Sequence, residues 1–160
     1  MDTVENVVAE RDVGGGPLRH AMGTLTYSPL SGGWLSGAWG RDSTPTSPAR
    51  QRLAARFDMS LPANQRKLEV VEELGRLAEG SGLSLIELAI AFVIRHPGVT
   101  SAIIGPRTLA QLESQLPAAD VALDDDVLDR IDELIPPGVT INPEDNSYGT
   151  TELMASARRR

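Results

Sequence analysis

Tyr27-Ser28-Pro29-Leu30-Ser31-Gly32-Gly33-Trp34-Leu35-Ser36-Gly37 decides how this chain reads, together with a later stretch, Ile103-Ile104-Gly105-Pro106-Arg107, that runs on through Thr108 and Gln111. Each follows a short β-like run, and the second opens directly into a helix. Small residues let a backbone approach an anion, and the unpaired N–H groups of a helix start point at it. Two such loops are the raw material of a phosphate site.

Working outward, residues 22–28 alternate loosely and are stopped by Pro29, which predicts a strand over 23–28. Residues 31–48 are rich in Gly, Pro, Ser and Thr and predict a long loop, a length that is usually functional or disordered. From Asn64, apolar residues at 68, 71, 74 and 77–78 keep helical spacing until Gly80-Ser81-Gly82. Ser84 and Glu87 form an S-x-x-E capping box, so the next helix is expected to start near Leu85. Its body, 85–94, is apolar on almost every side and predicts burial against several elements. Residues 99–104 read as a second strand, short enough to be covered on both faces. Thr108 with Gln111 predicts another capped helix to about Leu116, and Asp124 a last one carrying Val127, Leu128, Ile131, Leu134 and Ile135 on one face.

Strand, loop, helix, helix, strand, helix is the order of an α/β protein, and strands joined through helices run parallel. Only two strands are readable, so the sheet looks incomplete. The ends are less informative. Residues 1–16 are expected to form a flexible leader, poorly ordered or briefly helical, and 138–160 an irregular tail closing in Arg158-Arg159-Arg160.

Composition narrows the class. The chain has 160 residues, no cysteine and a net charge of −7. Disulfides and thiolate metal sites are excluded. The acidic balance argues against nucleic acid and anionic membranes as partners. No apolar N-terminal segment reads as a signal peptide, and the expected setting is the cytoplasm. Asp124-Asp125-Asp126 sit where acids favour a helix start, so no metal site is read there. His96 beside a helix end suits the dipole better than catalysis. Trp34 and Trp39 are expected either to pack the loop on the core or to shield a ligand.

Taken together, these stretches resemble the aldo-keto reductases. Tyr27-Ser28-Pro29-Leu30 with Gly33, Leu35, Ser36 and Gly37 is similar to the family's loop after its seventh strand. Ile104-Gly105-Pro106-Arg107 with Gln111-Leu112 and Gln115 resembles the stretch after the eighth. Between them, L-I-E-L-A-I-A-F-V-I-R-H-P-G-V (85–99) resembles the family's buried helix. The three motifs stand in the right order over about 17–137, the span expected to hold a truncated barrel segment with both cofactor loops.

The resemblance implies part of a (β/α)8 TIM barrel: helix-rich, with about two parallel strands, and only the last quarter to third of a fold that takes about 250 residues. It implies NADP(H) as cofactor. Ser28, Leu30, Gly33, Leu35 and Ser36 would belt the pyrophosphate. Arg107 would meet the 2′-phosphate or stack on the adenine with Gln111 beside it, Gln115 would lie near the adenine edge, and Gly105 would let the backbone close on phosphate. The family reduces carbonyls with a Tyr acid tuned by Lys, Asp and His, and no region here matches that tetrad. The only lysine is Lys67; Tyr27, Tyr148, His20 and His96 all lie in other contexts. No catalytic residue is therefore assigned. The expected partners are the nicotinamide dinucleotide and either a chain supplying the missing strands or a second copy. The alternative is a non-catalytic nucleotide-sensing or protein-binding remnant, or a truncated product that needs a partner chain.

Overall fold

Helix boundaries follow local chemistry closely. The computed structural model describes residues 23–40 and 48–145, which hold two strands and five α-helices: β1 (Leu25–Tyr27), α1 (Pro48–Arg52), α2 (Pro62–Gly80), α3 (Leu85–Arg95), β2 (Ser101–Ile103), α4 (Leu109–Gln115) and α5 (Asp125–Leu134). Short 3-10 turns follow β1, α1 and α4, and one closes the described chain at Pro143–Asp145. The expected leader 1–16 and most of the tail, 146–160, lie outside the described residues.

Pro62 at the first turn starts α2, where its missing N–H costs nothing. The helix buries Leu68, Val70, Val71, Leu74 and Ala78 along one side. It ends in a Schellman motif: Gly82 takes φ +73°, its N–H donates to Glu79 O (3.0 Å), and the Leu83 N–H donates to Ala78 O (2.9 Å). The chain turns by 90° into α3. There the expected capping box is complete: the Glu87 N–H donates to Ser84 Oγ (3.2 Å), and the Ser84 N–H donates to Glu87 Oε2 (2.7 Å). These bonds hold the Glu87 carboxyl below the ordinary glutamate pKa. The burial of Leu88, Ala89, Ile90, Ala91 and Val93 matches the all-round apolar sequence of α3.

The two strands pair in parallel, Leu25 with Ser101, Thr26 with Ala102 and Tyr27 with Ile103. Both are shorter than expected. Ser28 turns to φ +58° and leaves the extended region, which ends β1. At the other end, Thr100 Oγ1 accepts from the Thr24 N–H (2.9 Å), a side-chain bond in place of a ladder bond. The expectation that the second strand is covered on both faces fails. Leu25, Tyr27 and Ile103 are 62%, 45% and 52% exposed, because the two-stranded sheet leaves that face open.

Two caps differ in detail. Gln111 donates its N–H to Thr108 Oγ1 as expected (3.2 Å), but its own Oε1 accepts from Arg107, not Thr108 (2.7 Å). Asp124 occupies the cap of α5 without a side-chain hydrogen bond, while Asp125 pairs with Arg95 at the end of α3 (3.2 Å). Ile131 and Ile135 enter the core with Trp34, Leu35, Trp39, Leu68, Leu74 and Leu88, so the core lies between the first loop and helices α2, α3 and α5.

The two caps predict different mutational costs. Ser84→Ala should lower unfolding free energy by about 1 kcal/mol in urea titration. Asp124→Ala should cost no more than about 0.5 kcal/mol, the dipole contribution alone. Equal costs would contradict the bonding pattern.

Candidate functional site

The loop after β1 is wound unusually tightly. Ser28 and Ser31 take φ +58° and +50°, and Gly32, Gly33 and Gly37 take +63°, +101° and +74°. A serine in the left-handed region costs on the order of 1–3 kcal/mol unless its surroundings enforce it. Here the loop bonds to itself. The Ser31 N–H donates to Ser28 O (2.9 Å), those of Gly33 and Leu35 to Leu30 O (2.8 and 3.3 Å), and that of Ser36 to Gly33 O (3.2 Å). Ser36 Oγ also donates to Gly33 O (2.7 Å). The N–H groups of Gly33, Leu35 and Ser36 are thus used within the loop. Leu35 is buried in the core and Leu30 packs against it, so both hold the loop from beneath.

The anchor is aromatic. Trp34 stacks on Trp39 with ring centroids 4.0 Å apart, and Phe57 packs beside both at 5.9 and 5.8 Å. Of the two expectations for the tryptophans, packing of the loop onto the core is what the structure holds. On this shelf lies Arg50, its guanidinium 5.1 Å from the Trp39 ring centre and 5.5 Å from that of Phe57. A Cβ on Gly33 would lie 2.5 Å from Arg50 Nη2, so only glycine permits this approach.

The second loop reaches the same place. Because β1 and β2 are adjacent and parallel, both loops leave the sheet at the C-terminal ends of the strands, where barrel folds place ligands. Burial, and next the charge of Arg107, push the Arg50 guanidinium below its ordinary pKa. Guanidinium groups on neighbouring loops suit an anionic group, because each offers a fork of N–H donors. Arg107 and Gln111 are exposed, and a Cβ on Gly105 would meet nothing within 4 Å. Gln115, in contrast, is buried. With the loop N–H groups of Gly33, Leu35 and Ser36 already bonded, the groups left to meet an anion are the Arg50 and Arg107 side chains and the open backbone at Gly105.

Other titratable groups are engaged elsewhere. Lys67 is buried, ion-paired to Asp145, with its ammonium 4.7 Å from the Trp34 ring centre. His96 Nδ1 accepts from the Gly98 N–H (3.0 Å). Among the described residues no cluster of three or more His, Cys, Asp or Glu is placed to hold a metal, and no single helix is long and apolar enough to cross a membrane. Arg50 is the site residue that sequence reasoning missed. It stands in Pro48-Ala49-Arg50-Gln51-Arg52, where the long preceding loop was the only signal.

Comparison with known proteins gives the family of the chain. The model of the aldo/keto reductase family matches residues 18–136. The uncharacterized oxidoreductase YrpG of Bacillus subtilis (strain 168) is 32% identical over 133 residues, which cover 83% of this chain and 36% of that protein. A probable voltage-gated potassium channel subunit beta of Arabidopsis thaliana is 30% identical over 125 residues, 72% of this chain and 36% of its own length. Among solved structures, a glycerol dehydrogenase from Gluconobacter oxydans superposes with a TM-score of 0.65 at 25% identity, over 79% of this chain and 38% of its own. This chain belongs to the aldo/keto reductase family. It carries a helix-rich part of the family's TIM barrel with two parallel strands, and spans 36% of the length of these two curated relatives.

The two glycines separate shape from access. Gly33→Ala combines a left-handed φ with a clash against Arg50 and should lower unfolding free energy by about 1–3 kcal/mol. Gly105→Ala, with open space around it, should stay within about 0.5 kcal/mol of wild type. Urea midpoints measured on both variants check this, and a tolerated Gly33→Ala would contradict the packing described.

Proposed function

We propose that this chain is the NADP(H)-binding portion of an aldo/keto reductase barrel. The observation that carries the reading is the seat of Arg50 against Gly33 in the tight loop after β1, with the Gly105–Arg107 loop leaving the neighbouring parallel strand at the same end of the sheet. Ser28, Leu30, Gly33, Leu35 and Ser36 shape the belt around the pyrophosphate, with Arg50 as its cation. Arg107 takes the adenosine 2′-phosphate, because a guanidinium fork matches phosphate oxygens in pairs. Gln111 fixes the backbone of Arg107 through its 2.7 Å bond. Gly105 leaves room for phosphate, and Gln115 backs the adenine side from within α4.

Bound there, the dinucleotide supplies the hydride for reduction of an aldehyde or ketone. The proton donor and its partners are not among the residues assigned in this chain, so the chain alone holds the cofactor without turning over substrate. Residues from the remainder of a barrel complete the site. The two-stranded sheet supports a partner that adds strands, since among the described residues no further strand pairs with either outer edge, and Leu25 and Ile103 are exposed. The exposed sheet face also favours the second reading, a nucleotide-sensing or protein-binding unit without chemistry of its own; one relative is by name a probable subunit of a potassium channel, a part of a larger assembly. A cytoplasmic setting suits both.

Titration of the chain with NADPH, followed through the emission of Trp34 and Trp39, tests the proposal. Saturable binding is expected, weaker for NADH and weakened about tenfold or more by Arg107→Ala, the size of a lost charge-assisted contact. Addition of a carbonyl substrate should produce no oxidation of NADPH. Absence of saturable binding, or equal affinity in Arg107→Ala, would overturn the assignment.

A further inference from the structure

Residues 141–145 carry polar side chains that a surface tail has no reason to bury, yet Asn142 and Asp145 are 2% and 4% exposed. Each is tied to a residue that supports the cofactor loop. Asn142 Nδ2 donates to Asn64 Oδ1 (2.7 Å) and to Ala55 O (3.2 Å). Asn64, fully buried, donates in turn to Ala55 O (2.9 Å) and Asp58 O (2.8 Å). The Glu144 carbonyl accepts from Arg56 Nε (2.7 Å). Segment 54–58, which holds Phe57 in the ring stack, is thereby gripped from both sides.

A second line runs through charge. Asp145 pairs with Lys67, whose ammonium lies under the Trp34 ring and also donates to Arg56 O (3.3 Å). A pocket of about 40 Å³ marks where loop, helix and strap meet, lined among others by Ser31, Trp34, Lys67, Ile141 and Asp145. Contacts are therefore continuous from Asp145 through Lys67 and Trp34 to Trp39, and from there to Arg50 and Gly33.

We propose that segment 141–145 is a strap that positions Arg50 for the cofactor, acting through Lys67 and the Trp34–Trp39–Phe57 shelf. The inference rests on the cofactor-binding reading above and adds residues that touch no cofactor. Asn142, Lys67 and Asp145 are positioning residues. With the strap fastened, the shelf is flat and Arg50 lies against Gly33. Release of the strap frees segment 54–58 and loosens the aromatic shelf under the guanidinium, so affinity falls although every phosphate-contacting group is still present.

A double-mutant cycle on NADPH affinity tests this in the full chain. Asp145→Asn keeps the shape and removes the charge; Asn142→Ala cuts the other tie and leaves no buried ion unpaired, so it carries the test where Asp145→Asn unfolds. In wild type each should weaken NADPH about five- to tenfold with the helical circular dichroism unchanged, and each should red-shift the tryptophan emission without nucleotide. On an Arg50→Ala background neither should weaken binding further. If Arg50→Ala weakens binding but the strap variants bind like wild type, or if their losses simply add to that of Arg50→Ala, the strap inference is overturned and the cofactor reading stands. A wild-type chain that binds no NADPH overturns the cofactor reading itself, and with it the strap's role.

Discussion

The stack of Trp34 on Trp39 and Phe57 is the interaction on which the rest of the site depends. A buried aromatic side chain removes about 150–250 Å² from water, at about 25 cal/mol per Å², so each of the two buried indoles contributes at most on the order of 4–6 kcal/mol before conformational costs, and the half-buried Phe57 less. That exceeds the on-the-order-of 1–3 kcal/mol cost of each left-handed serine, Ser28 and Ser31. The buried indole N–H groups of Trp34 and Trp39, which have no hydrogen-bond partner among the described residues, subtract from the gain. The balance still favours the tight loop. The shelf that offsets its strain also carries Arg50 and receives Lys67 from below, so loop shape, charge placement and the C-terminal strap share one support.

Parallel pairing of β1 with β2 supplies the second constraint. It sets two loops, distant in sequence, side by side at the C-terminal ends of the strands, with Arg50 seated against the first and Arg107 on the second. The same geometry leaves Leu25 and Ile103 more than half exposed. Neighbouring loops and an exposed two-stranded sheet among the described residues are two consequences of the same parallel pairing.

Legibility in the sequence followed the range of the interaction. Local signals read well: the Ser84–Glu87 box and the Gly80-Ser81-Gly82 stop landed where expected, because a cap is decided within a few residues. The two loops and the family were legible from their glycine and proline spacing. Arg50 was not, since its position depends on rings that stack across separate segments. Nor was the burial of Asn142 and Asp145, which read as an irregular polar tail; their partners Asn64 and Lys67 sit far back in the chain. The strands came out shorter than their β-formers suggested, because pairing ends where Ser28 turns, whatever the propensity of its neighbours.

Amide hydrogen exchange with and without NADPH tests the central claim most directly. If both glycine loops form one dinucleotide site, added NADPH should slow exchange together in residues 28–37 and 105–111, with little change on the open face of β1 and β2. Protection absent from both loops, or confined to one of them, would contradict the account.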